Sequence, residues 1–256
     1  MAIVDYERSD KLYTSEKYAN NTNDWEDGAA IFRANALFQA LIDAGILEKV
    51  ESILDVGCGS GGVLVNFKKL HNKKFCTNKS IQLTGIDLSE KAIEVANRLY
   101  SREADLGVEF FVSSVDSFQK GNKYSLVTLI HVLEHCPDML DMLGFCEKNG
   151  GYVYINVPIE VNLFYTIRRN VLMNQYLKYG HLHFFNERFF IRWLEENGFS
   201  ILSKVYSADF EVNKPGFGYA AVKLIRRWLG KVSPPIATWL LGGYSLGILV
   251  RSRNVS

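Results

Sequence analysis

His131, Glu134 and His135 stand within five residues of one another in the stretch LIHVLEHCPD, at H-x-x-E-H spacing. If the chain coils after His131, positions three and four apart share one face. Two imidazoles and a carboxylate on one face can hold a divalent cation. They can equally hold a general base, because histidine titrates near neutrality, or brace one another at a loop. Spacing alone leaves these readings open.

A second constellation lies upstream. The turn Asp55-Val-Gly-Cys-Gly-Ser-Gly61 directly follows the apolar run SILDV. Glycines let a backbone turn sharply and approach a ligand closely, and a following helix presents free N–H groups. Further on, GID ends a second apolar run with Asp87. An acid at that place can accept hydrogen bonds from both hydroxyls of a ribose, and nucleotide-containing ligands sit beyond the carboxyl ends of such strands. A bare glycine-rich turn is weak evidence, since dinucleotide binders share it. The acid two residues before the first glycine and the second acid at Asp87 make the pattern narrower.

Positioning these residues requires alternating strands and helices. SILDVG reads as a buried strand, IQLTGID as a second, VEFFV as a third, YSLVTLI as a fourth and GGYVYINV as a fifth. Between them, VLVNFKKL is amphipathic and SEKAIEVANRLYSRE is a helix with Ser89 as its N-cap. Such alternation predicts a doubly wound, mostly parallel α/β sheet. Residues 29–47 carry Ile31, Phe32, Ala34, Leu37, Phe38, Leu41 and Ile42 at helical spacing. The segment 186–198 reads as a helix capped by Asn186 and stopped by Gly198, with Phe189 and Trp193 on its core face. It leads into the strand FSILSKVYS. A lid-like insertion over about 209–243 precedes the last strand, SLGILVRS. Asp138, after Pro137, is expected to cap a helix.

The motifs ILDVGCGSGG, GIDLS, SSVDSF, LVTLIHVLEHCPD and GGYVYINVP, followed by HLHFFNERFFIRWLEENGF, resemble the class I S-adenosylmethionine-dependent methyltransferases in order and spacing across roughly 50–200. The resemblance implies a Rossmann-like seven-stranded sheet with its last strand antiparallel. It implies an N-terminal helical cap over residues 1–50 and a methyltransferase domain over 51–256. It implies that S-adenosylmethionine meets Asp55 and Gly57 at its methionine part, Gly59 and Gly61 along the turn, and Asp87 at the ribose. Leu88 and Ile130 join that set, and Val115 and Asp116 border the adenine, although many relatives carry an acid where Ser114 stands. His131, Glu134 and His135 then fall at the mouth where methyl donor and acceptor meet. Two branches of the family, ubiquinone-pathway O-methyltransferases and small-RNA 3′-end methyltransferases, use a metal and carry E-x-x-E-H there. This chain has His131 in place of the first Glu, and His181 or His183 stands where the RNA branch adds a histidine. A metal set of His131, Glu134, His135 and His181 is one reading, with magnesium or manganese as the ion. Metal-free members carry LEH with a later histidine, and there the pair braces the loop or serves as base.

The acceptor expected from the resemblance is a small molecule, methylated at a hydroxyl oxygen: a sugar, a nucleotide-linked sugar or another cell-envelope precursor. A quinone or lipid acceptor, an RNA acceptor and a non-catalytic S-adenosylhomocysteine-binding module are the alternatives. The net charge of +1 gives no electrostatic case for nucleic acid. The chain has 256 residues, 48% hydrophobic and 22% charged, ordinary for a globular enzyme. Its four cysteines, Cys58, Cys76, Cys136 and Cys146, form no C-x-x-C pair, which points to a reduced, cytoplasmic setting. The start, MAIVDYERSDKLY, has acids and no apolar run, unlike a signal peptide. Residues 232–250 lack charge, but Pro234-Pro235 and Gly242-Gly243 interrupt them, which favours surface docking to a membrane through 231–250 over a span. Arg226, Arg227 and Trp228 lie beside this segment and suit a membrane surface or a partner subunit, including a second copy. Arg168 and Arg169 are placed to hold a phosphate or carboxylate of the acceptor. Tyr13, Tyr18, Trp25, Phe32 and Arg33 are the residues expected in the cap.

Overall fold

The computed structural model describes residues 28–75, 80–100, 106–118, 123–168, 170–212 and 217–253. Tyr13, Tyr18, Trp25, Cys76 and Arg169 lie outside these residues. Seven strands form one sheet: β1 (Ser52–Val56), β2 (Gln82–Asp87), β3 (Val108–Val112), β4 (Tyr124–Ile130), β5 (Gly150–Pro158), β6 (Ser200–Ser207) and β7 (Ser245–Arg251). Their order is β3-β2-β1-β4-β5-β7-β6. The pairs β2–β3, β1–β2, β1–β4 and β4–β5 are parallel, whereas β7 runs antiparallel to both β5 and β6. This is the expected sheet, including the antiparallel last strand.

The central strands are apolar on both faces because helices cover both. Ile53, Leu64, Phe67, Leu83 and Leu126 are buried with Ala34, Leu37 and Leu41 on one side. Leu54, Val127, Leu129, Val153 and Ile155 are buried with Leu143, Phe190 and Leu194 on the other. Continuous apolar runs, rather than alternation, are what a doubly covered parallel sheet requires.

The helices are α1 (Ala30–Asp43), α2 (Gly62–Phe75), α3 (Glu90–Tyr100), α4 (Met139–Asn149), α5 (Leu163–Ile167), α6 (Val171–Asn174), α7 (Glu187–Glu196), α8 (Phe217–Val232) and α9 (Pro234–Leu241). Helix α1 packs on α2 and β6 as part of the layer flanking the sheet. Its Ala34, Leu37 and Leu41 are buried, while Ile31 and Ile42 at the stripe's margins are exposed. Ser89 Oγ accepts the Ala92 N–H at 3.3 Å, as an N-cap does. Asp138 caps α4 through the N–H groups of Leu140 and Asp141, and Asn186 caps α7. One side chain of α7 departs from expectation. Phe189 is 79% exposed, and the buried residues are Phe190 and Leu194. Four consecutive residues ending in Ile191 are apolar or long, so adjacent phases of the helix compete, and the sheet selects the Phe190–Leu194 stripe. Trp193 is half-buried and stacks on Phe190.

The insertion folds as α8 and α9, packed on each other, with α9 also touching α5. Phe210, Ala237 and Tyr244 form a small core beneath them. Among the described residues, no helix is long and apolar enough to cross a membrane.

Candidate active site

Strand order reverses between β1 and β4, and crevices open there beyond the carboxyl ends of the strands. The turn after β1 lies on one side. Gly57, Gly59 and Gly61 all have positive φ. A Cβ at Gly57 would lie 2.6 Å from Val132 Cγ2, so only glycine lets the turn approach the loop after β4. A Cβ at Gly59 would meet nothing within 4 Å, so this turn faces open space on its ligand side.

Asp87 ends β2 and turns its carboxylate to that glycine turn. Oδ2 accepts the Gly59 N–H at 2.9 Å and Oδ1 the Ser89 N–H at 2.8 Å. A carboxylate has about four lone-pair sites, so two remain for ribose hydroxyls. Burial raises the Asp87 pKa, and the two backbone N–H bonds oppose that rise. Asp55 is buried at the end of β1 and accepts the Thr128 hydroxyl hydrogen at 2.5 Å. Burial pushes its carboxyl up to about 7, against the Thr128 bond. A buried acid with a single neutral donor suits a cationic ligand group, which supplies the missing charge. Leu88 is exposed beside Asp87, and Ile130 is buried at the end of β4. Val115 is half-buried against the sheet. Asp116 is exposed, and its side chain makes no hydrogen bond among the described residues. The Ser114 hydroxyl is spent in a local turn with Ser117, at 3.1 Å to its N–H. Asp55, Gly57, Gly59 and Asp87 therefore fit a nucleoside with a charged tail.

The segment after β4 forms the other side. His131 has φ +57, the left-handed region that non-glycine residues seldom occupy. A short 3₁₀ turn then spans Leu133–His135. The two histidines consequently diverge from Glu134 instead of sharing one face. His131 Nδ1 lies 3.2 Å from Glu134 Oε1, while its Nε2 lies 2.9 Å from Ser245 Oγ and 3.2 Å from Asp209 Oδ2. His135 turns the other way, with Nδ1 3.4 Å from the Gly180 carbonyl and its ring edge-on to His181 at 4.9 Å. Glu134, His135 and His181 converge, each offering one ligand atom within 4.8 Å of the others. Of the four residues expected for a metal, His131 thus stands outside this trio, held by Asp209 and Ser245. His183 also stands outside, its Nε2 2.8 Å from the Cys136 carbonyl.

The loop carrying His181 is fastened to the site. The N–H groups of Leu182 and His183 donate to the Glu134 carbonyl at 2.7 and 3.1 Å. His181 Nδ1 donates to Glu160 Oε2 at 2.8 Å, which leaves Nε2 with the lone pair. The Glu134 carboxylate is wholly buried, and neither oxygen has a hydrogen bond of good geometry among the described residues. Burial alone would raise its pKa, yet the neighbouring charge of His131 overrides this and holds it at about 2. Burial lowers His135 to about 4, so this ring is neutral at physiological pH. A buried anionic oxygen, a neutral imidazole and a carboxylate-backed histidine are a donor set for a divalent cation.

Two participants escaped sequence reading as site residues. Glu160 lies just beyond the fifth strand and belongs to none of the motifs quoted above. Asp209 carries no motif at all; it enters because the chain leaves β6 beside the start of β7. Its Oδ2 also accepts from Arg33 Nε at 3.1 Å, which draws α1 to the site. Burial works to raise the Asp209 pKa, but Arg33 and His131 hold it well below the usual range.

Comparison with known proteins places this geometry in a family. The family model for the methyltransferase domain matches residues 29–204. A ubiquinone biosynthesis O-methyltransferase of Nitrosospira multiformis is 32% identical over 168 residues, 62% of this chain and 62% of that protein. A protein of the same name from Vibrio cholerae is 30% identical over 166 residues, 61% of this chain and 60% of its own. The chain thus spans about 60% of the length of the curated relatives it matches. Among solved structures, magnesium protoporphyrin IX methyltransferase from Synechocystis with bound SAH superposes with a TM-score of 0.60 at 15% identity, covering 96% of this chain and 99% of the other. A plantazolicin methyltransferase in complex with SAH gives 0.57 at 17% identity, covering 96% and 94%. With well over half of its length matched and its glycine turn, Asp87 and sheet order in place, the chain belongs to the class I S-adenosylmethionine-dependent methyltransferase family.

Proposed function

We propose that this protein transfers the methyl group of S-adenosylmethionine to a hydroxyl oxygen of a small-molecule acceptor, and that Glu134, His135 and His181 hold a divalent cation at the reaction site. The observation that carries this reading is the convergence of those three side chains, with Glu134 wholly buried and kept anionic beside His131. A divalent cation such as magnesium or manganese, bound there, lowers the pKa of a hydroxyl and orients its oxygen. The chain's own residues do the rest. Asp55, Gly57 and Asp87 hold the donor, and the loop Gly180–His183, tied to the Glu134 carbonyl, fixes the acceptor side. Glu160 keeps His181 in one tautomer and orients its ring. The methyl transfer is an in-line displacement, so alignment of donor and acceptor carries much of the rate.

The names of the relatives favour a phenolic or quinone-like hydroxyl over a sugar. Exposed apolar side chains on α8 and α9, including Leu224, Trp228, Val232, Ile236 and Trp239, suit an acceptor with a greasy portion. A second reading has its own observation: the His181–Glu160 pair is also a dyad able to take the acceptor's proton without a metal.

S-adenosylhomocysteine release with metabolite fractions as acceptors separates these readings. Activity should vanish with EDTA and return with magnesium or manganese, and Glu134→Gln should abolish the metal response while S-adenosylhomocysteine affinity stays intact. Activity indifferent to EDTA but lost in His181→Asn would replace the metal reading with the dyad.

A further inference from the structure

Beside the site, a cavity of about 420 Å³ opens between α5 and α8, lined by Phe164, Tyr165, Arg168, Tyr219, Val222 and Arg226. We infer that this cavity is the receptor for an oxyanion, a carboxylate or a phosphate, carried by the methyl acceptor and gripped by Arg168 and Arg226.

Several arginines of the molecule are neutralised by a neighbouring acid, and these two are not. Arg33, Arg227 and Arg253 each meet a carboxylate, of Asp209, Glu211 and Glu147 respectively. Arg168 and Arg226 meet none among the described residues. Arg226 is only 4% exposed, yet among the described residues its one hydrogen bond runs from Nη2 to the Leu241 carbonyl at 2.6 Å, and its Nε is buried without an acceptor. A buried guanidinium with most of its donors unused is costly unless an anion joins it. Burial and the like charge of Arg168 both work against its protonated form, and only tyrosines favour it.

The position of Arg226 is built, not incidental. Its guanidinium carbon lies 5.8 Å from the centroids of both Phe164 and Phe210. Gly243 leaves room for it, since a Cβ there would come within 2.8 Å of that carbon. Arg168 lies over the same Phe164 ring at 5.1 Å. Guanidinium forks match carboxylate and phosphate oxygens in pairs, and the three aromatic rings suit the body that bears the oxyanion.

The cavity belongs to the reaction site. Arg226, which lines the cavity, packs on Phe210, the neighbour in sequence of the site residue Asp209, and Tyr165 feels the charges of Arg226, Arg168, Glu160 and Asp209 together. Asn162, which caps α5, stands two residues after Glu160, the partner of His181. An acceptor anchored by its oxyanion here extends towards Glu134 and His181. Assignment of the anion to the acceptor rests on the methyl-transfer reading above; the receptor itself rests on the cavity.

The test reads binding, not turnover. Phenyl phosphate, benzoate and neutral phenol are titrated into the full chain saturated with S-adenosylhomocysteine, by calorimetry or saturation-transfer NMR. At least one anion should bind about tenfold or more tighter than phenol, and whichever wins names the oxyanion. Arg168→Gln, on an exposed side chain, should erase that preference with S-adenosylhomocysteine affinity unchanged; Arg226→Gln should do the same if it folds. Anions that bind no tighter than phenol, or a preference that survives Arg168→Gln, overturn the inference. Anion binding without methyl transfer to any acceptor would keep the receptor, and would remove both the assignment to an acceptor and the methyl-transfer reading.

Discussion

Asp55 is a carboxylate placed where it costs stability. In the ligand-free protein its pKa is raised by burial from 3.8 to about 7. A group with a raised folded pKa favours the fold in its protonated form, so for an acid the stabilising state is the neutral one. Its contribution is most favourable below 3.8 and declines as pH rises through about 7. Asp55→Asn keeps the shape and keeps an oxygen for the Thr128 hydroxyl. The variant should melt several degrees higher than the parent at pH 8 in the absence of ligand, with the gain fading near pH 4. At the same time it should lose affinity for S-adenosylmethionine, by about tenfold or more, because the ligand's charge loses its partner. Opposite signs in melting temperature and affinity mark a residue kept for binding. Equal losses in both would make Asp55 an ordinary structural acid.

At the scale of elements, the turn after β1 and the loop after β4 support each other. Gly57 has φ +71, and Val132 fills the space its missing Cβ leaves. Gly57→Ala therefore meets two costs, a left-handed alanine of roughly 1–2 kcal/mol and a clash with Val132. Val132→Ala removes the clash alone. The double variant should recover part of the melting temperature and part of the S-adenosylhomocysteine affinity that Gly57→Ala loses. Additive losses would show that the two loops do not share a contact.

The same elements explain what the sequence discloses and what it hides. Strand and helix identities and the Asp138 and Asn186 caps are local, and the glycine turn and the strand-ending Asp87 follow a recurrent pattern, so each is legible in the sequence. The metal trio is not. Whether His131 or His181 completes the trio with Glu134 and His135 depends on the left-handed turn at His131 and on a loop almost fifty residues away. Phe189 against Phe190 is decided by which stripe faces the sheet. Arg226 and Arg227 are neighbours in sequence with opposite fates: one is buried beside a cavity, the other exposed on Glu211.

For the whole molecule, a single charged network ties distant parts together. Arg33 of α1 reaches Asp209, which accepts from Ser207 at the end of β6 and from Ser245 Oγ at the start of β7, and which lies 3.2 Å from His131 after β4. His131 in turn meets Glu134. The pKa values of Asp209 and Glu134 are lowered, so their contribution to stability is present above the unfolded range of 3.8–4.5 and is lost as pH falls further. Burial and Arg33 work to lower the His131 pKa, but Glu134 and Asp209 raise it overall, so its contribution is full below 6.5 and is lost as pH rises beyond that. Stability from this network is therefore greatest between about 4.5 and 6.5. Asp209→Asn removes the hub. At pH 6 it should lower the melting temperature by about 10 °C, the size expected when one partner of a buried ionic group of a few kcal/mol is removed from a domain of this length. As pH rises through the raised His131 pKa the ring loses its charge in the parent, so less remains to lose and the deficit should shrink towards the Arg33 share. Thermal melts of parent and variant across pH 4–9 measure both limbs. A deficit that stays constant from pH 6 to pH 9 would mean that His131 is not charged in the folded protein, and that Asp209 serves Arg33 alone.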